Sequence, residues 1–159
     1  MSVLAAIRPD DWNFPLLVHV LGAALLVGGL LTAAVALFLG WRRQPNADAT
    51  AYARTAFRSL LFVAFPAWWI MRIGAEWIYR REGLDDLPED PDWLGIGYIT
   101  AEGGGLLLLV SVILAGIGAR RLARRGGESS ALVRISTILV TVVLLAYVVA
   151  VWAMAGKPD

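Results

Sequence analysis

Five ionisable side chains stand inside or at the edge of stretches that are otherwise apolar: His19, Arg72, Glu76, Glu102 and, at the edge of one such stretch, Arg58. An imidazole and two carboxylates are donor types that bind a divalent metal with water completing the shell. His19, Glu76 and Glu102 are therefore a candidate metal set. A single histidine is also the usual axial ligand of a b-type haem, and Arg72 would suit a propionate. Glutamates that alternate between protonated and charged forms near an arginine suit proton-coupled movement of a small solute. The simplest arrangement is different: Arg72 neutralises one or both carboxylates, and the cluster locks its helices together. Tyr147 offers a hydroxyl from a further apolar stretch. These residue types define no reaction by themselves.

The elements that must position them follow from composition. The chain has 159 residues, 58% hydrophobic and 17% charged, with the apolar residues gathered in long blocks between charge clusters. That is the pattern of an integral membrane protein. The blocks cover residues 14–40, 57–79, 95–119 and 131–155. Each meets the roughly 20 residues that a helix needs to cross a hydrocarbon core of about 30 Å. Helices are required because lipid offers free backbone groups no partner, and the blocks lack the alternation of barrel strands. The expected fold is all-α: one transmembrane domain over residues 1–159, a four-helix bundle running up-down-up-down. A net charge of +1 argues against nucleic acid as a partner. The chain has no cysteine, so thiolate metal sites, disulfide exchange and lipid attachment through sulfur are excluded. The first block is too long for a signal peptide, and Asp10 and Asp11 outweigh Arg8 before it, so it reads as a true span.

Arginines set the expected orientation. Arg42, Arg43 and Arg54 lie in or near the connection 41–56, and Arg120, Arg121, Arg124 and Arg125 in the connection 120–130. The positive-inside rule makes both cytoplasmic and both termini extracytoplasmic, in a bacterial-type plasma membrane. The remaining connection, 80–94, carries Glu82, Asp85, Asp86, Glu89, Asp90 and Asp92 beside Pro88 and Pro91, and reads as a solvated acidic loop. Trp12, Trp77, Tyr79, Trp93, Tyr98 and Trp152 form an expected outer aromatic belt, and Trp41 and Tyr52 an inner one.

Depth and facing can be counted. His19 lies about 8 Å, Glu76 about 5 Å, Arg72 and Glu102 about 10 Å and Tyr147 about 12 Å below the outer ends of their helices. A shared polar layer in the outer third is expected. Phe65, Trp69, Arg72, Glu76 and Tyr79 fall on one helical stripe, with Arg72 and Glu76 placed to pair and Trp68 and Trp69 placed to stack on the guanidinium. Tyr98, Glu102, Gly105, Leu109 and Gly116 share another stripe. The run Gly103, Gly104 and Gly105 predicts close approach of a helix or a ligand, or a local unwinding. Gly22, Ala23, Leu26, Gly29 and Ala33 share the His19 face and predict helix packing. Pro66 frees the carbonyl of Phe62, and a kink there would open the outer half of the bundle.

Residues 16–31 read LLVHVLGAALLVGGLL. This resembles the first span of a set of small bacterial membrane proteins that includes integral membrane proteins of unknown function, the copper-resistance D-type domain and the HemJ-type protoporphyrinogen oxidases. The resemblance implies that His19 corresponds to the motif histidine, which in the HemJ type is implicated in haem binding. Leu26 stands where those proteins often carry Trp. Three functional expectations result. The first is a small ligand, metal or haem-type cofactor held by His19, Arg72, Glu76, Glu102 and Tyr147 in an outer-leaflet pocket. The second is a structural or accessory subunit, alone with the lipid bilayer, as a homodimer or with a membrane-complex partner. The third is a dimeric proton-coupled transporter.

Overall fold

The computed structural model describes residues 13–43, 47–81, 92–124 and 131–156. Asn13 caps the first helix, its side-chain oxygen accepting the Leu16 amide proton at 3.2 Å, and Pro15 sits in the first turn, where its missing N–H leaves no hydrogen bond unmade. Helix α1 then runs Phe14–Arg42 and closes with the Arg43 amide donating to the Leu39 carbonyl at 3.1 Å. Helix α2, Ala47–Ser59, passes through a π-helical turn, Leu60–Ala64, into α3, Phe65–Arg81; α4 is Asp92–Arg124 and α5 is Ala131–Gly156. With α2 and α3 counted as one rod, the described residues form four helices long and apolar enough to cross a membrane.

Neighbouring rods are antiparallel, as their close approaches show. Gly22 lies against the Met71 backbone and Gly40 against Ala49; Gly97 lies against Met154 and Gly118 against Val133. The bundle closes in the order α1, α2–α3, α4, α5, with α5 returning to α1. Its core is built from Leu26, Leu30, Leu37, Leu60, Leu108, Val140 and Val143, all 0–1% exposed. Outward faces carry Leu17, Leu21, Leu31, Ile113, Ile138 and Leu145, all exposed. Apolar residues inside and outside are the signature of a bundle with lipid as its solvent.

The helices outrun the apolar blocks. The connection expected at 41–56 is helical from Ala47 onward, because Ala49, Ala53, Ala56 and Leu60 make a fully buried stripe of small side chains along α2. Hydropathy alone hid that segment behind its arginines, whereas helical spacing exposes it. At the other end α4 begins at Asp92 and runs to Arg124, beyond the expected 95–119. Pro66 acts one turn earlier than expected. The π turn carries the Phe65 amide to the Leu60 carbonyl, five residues back, which makes room for a ring that would strike the carbonyl of Phe62 in a regular helix. The acidic residues Glu82, Asp85, Asp86, Glu89 and Asp90, the prolines Pro88 and Pro91, and also Arg125 and Trp12, lie outside the described residues.

Candidate functional site

The two halves of the second rod behave differently. Helix α2 packs against both α1 and α4, whereas α3 leans on α1 and meets α4 sparsely. The gap left between α3 and α4 is where the charged residues lie. Arg72, from the middle of α3, donates from one terminal nitrogen to Glu102 of α4 at 3.0 Å and from the other to Glu76 at 3.5 Å. Glu76 also receives Arg80 at 3.0 Å. The Tyr98 ring, one turn before Glu102 on α4, lies 4.9 Å from the Arg72 guanidinium carbon. Tyr98 in turn packs edge-on against Tyr79 at 5.8 Å.

This cluster saturates the cation. Two carboxylates supply opposite charge, and the ring face supplies a third attractive surface that water does not occupy. Arg72 is the shielded member, its side chain 20% exposed, while Glu102 is 66% exposed and turned toward the bundle surface. The stacking expected from Trp68 and Trp69 is not the one formed. Trp68 instead lies flat over Gly105 and donates its indole N–H to the Ala101 carbonyl at 2.8 Å, with Trp69 packed edge-on behind it. A second α3–α4 tie is thus made one turn below the ion pair.

His19 does not join the carboxylates. Its backbone sits on Gly74, where an added Cβ would come within 2.6 Å of the His19 nitrogen, and its Nδ1 is 3.0 Å from the Met71 carbonyl. A carbonyl only accepts, so Nδ1 carries a proton, and in the neutral imidazole the lone pair is then on Nε2. Met71 and Gly74 lie roughly a third of a turn around α3 from Arg72 and Glu76. The imidazole therefore ties α1 to one flank of α3 while the cluster ties α4 to another. Among the described residues no group of three or more His, Asp or Glu is placed to hold a metal ion, so the set His19, Glu76 and Glu102 is not assembled.

Tyr147 reaches the same level from α5 by lying over Gly104, whose Cβ, if present, would be 2.7 Å from the phenolic oxygen. The side chain is 3% exposed, and its hydroxyl has no hydrogen-bond partner among the described residues. The glycine run is therefore a packing device: Gly104 takes Tyr147, Gly105 takes Trp68, Gly103 faces open space, and α4 stays helical throughout. Arg58 stands apart near the opposite end of the bundle, on a groove between α1 and α2. Sequence reasoning missed Tyr98 and Arg80 as members of the cluster, although both stand four residues from a glutamate and i,i+4 spacing was the available signal. Nothing in the residue types pointed to the Met71 carbonyl. Among known proteins, no family model, no curated protein and no solved structure matches this chain.

Proposed function

We propose that this chain is a structural or accessory membrane subunit whose charged cluster is an internal latch between α3 and α4. The observation that carries the reading is the pairing of Arg72 with Glu102, Glu76 and the Tyr98 ring where α3 and α4 meet sparsely. A cation with two counter-charges and a ring on its face has little left to offer a ligand. By the positive-inside rule, the end bearing Arg42, Arg43, Arg54, Arg120, Arg121 and Arg124 is assigned to the cytoplasm, and the latch to the extracytoplasmic half. The open side of the Glu102 carboxylate is the place left for a donor from a partner helix.

A second reading, a small-ligand or haem-type site, draws on one specific feature: the Nε2 lone pair of His19, oriented by the Nδ1 bond to the Met71 carbonyl. One experiment separates the two. In a double-mutant cycle on purified protein, Arg72→Gln and Glu102→Gln each lower thermal stability, and the pair is coupled by about 1 kcal/mol, a modest value because Glu102 is open to its surroundings. Additive or absent effects, together with a Soret band or bound metal that disappears in His19→Ala, would overturn the latch in favour of the ligand site.

A further inference from the structure

We propose that the groove between α1 and the α2–π segment holds one anionic phospholipid, its phosphate on Arg58 and an acyl chain laid over Gly28. The groove is open along one side and offers about 560 Å³, within the roughly 300–1,000 Å³ of small-molecule sites. Arg58, Thr55 and Thr32 line it together with the apolar Leu25 and Phe62 and the bare backbone of Gly28. An added Cβ on Gly28 would meet nothing within 4 Å, so the groove is open at that point.

Arg58 is the arginine that lines this groove, and no acidic side chain lines the groove with it. Arg43 has Asp48, Arg72 and Arg80 have glutamates, and Arg42 and Arg134 sit over aromatic rings. Arg58 is exposed and has no acidic partner among the described residues. The antiparallel register from Gly22–Met71 to Gly40–Ala49 places it beside α1 near Ala33, about 8 Å from the middle of the apolar block 14–40 and inside a hydrocarbon half-thickness of about 15 Å. From that depth the long guanidinium side chain snorkels to the headgroup boundary, where a lipid phosphate can dip to meet it, while its stem stays in the groove. No carboxylate lines the site, so nothing there would receive the cationic end of a zwitterionic headgroup. A second copy docked on the same groove about a two-fold axis would oppose Arg58 with Arg58, which argues for lipid over self-association.

The test is native mass spectrometry of the full chain in detergent, titrated with phosphatidylglycerol or phosphatidylcholine. The wild type is expected to retain one phosphatidylglycerol in preference to phosphatidylcholine. Arg58→Gln should cut that preference about fivefold, the value of one interfacial charge, and Arg58→Lys should keep most of it. Gly28→Phe, which adds a ring to the groove at a position where a Cβ meets no neighbour within 4 Å, should release both lipids while the protein stays folded. An unchanged preference in Arg58→Gln, retention of lipid by Gly28→Phe, or a dimer cross-linked through this groove would each overturn the proposal.

Discussion

At the residue scale, the informative contrast is between Arg72 and Tyr147, two polar side chains at one level of the bundle. Arg72 is met by two carboxylates and a ring, whereas the Tyr147 hydroxyl is buried without a hydrogen-bond partner among the described residues, the indole N–H of Trp68 being given to the Ala101 carbonyl. An unmade bond at a buried hydroxyl costs about 1–3 kcal/mol, so Tyr147→Phe keeps the ring on Gly104 and is expected to leave stability unchanged or raise it by about 1 kcal/mol. Thermal unfolding of the two proteins in one detergent decides it. A clear loss of stability would mean that a bound water or ligand normally satisfies the hydroxyl.

At the element scale, α1 is organised by which of its glycines meet backbone. A Cβ on Gly22 would strike the Met71 backbone and one on Gly29 the Ala64 backbone, while Gly28 faces open space. Close approach of this kind replaces the hydrophobic driving force that lipid removes, since helices in a bilayer gain most from packing surface on surface. Gly22→Ala is therefore expected to lose about 1–3 kcal/mol through forced separation of α1 and α3. Gly28→Ala should gain up to about 1 kcal/mol from helix propensity alone. Unfolding midpoints that move alike in the two variants would contradict the assigned packing face. The π turn belongs at this scale as well, because it lets Pro66 sit within a membrane-length rod that stays helical on both sides.

At the scale of the whole molecule, the four rods hold most of their basic residues toward one end, with Arg42, Arg54, Arg120, Arg121 and Arg124 there, and the latch with Arg72, Arg80 and Arg81 toward the other. The absence of native cysteine makes orientation directly measurable. Asn13→Cys should react with a membrane-impermeant maleimide in intact cells, and Asp48→Cys only after permeabilisation. The reverse pattern would invert the bundle and place the Arg72–Glu102 pair in the cytoplasmic half.

Membrane class, the number of rods and the stripe that unites Arg72 with Glu76 were legible in the residues themselves. Lipid forces each long apolar block to satisfy its own backbone hydrogen bonds, and a helix forces residues four apart onto one face. Helix α2 was legible only by periodicity, through Ala49, Ala53 and Ala56, because its charges masked it from hydropathy. The company kept by His19 was decided elsewhere. Small residues lie on more than one flank of α1 and α3, and only the three-dimensional fit of Gly22 and Gly74 selects the flank on which the two helices meet. That choice of rotation sends His19 to the Met71 carbonyl, leaves Arg72 facing α4, and brings Tyr98 and Glu102 to it. Contacts between helices depend on register and rotation, which arise from packing of whole surfaces and have no counterpart in local spacing.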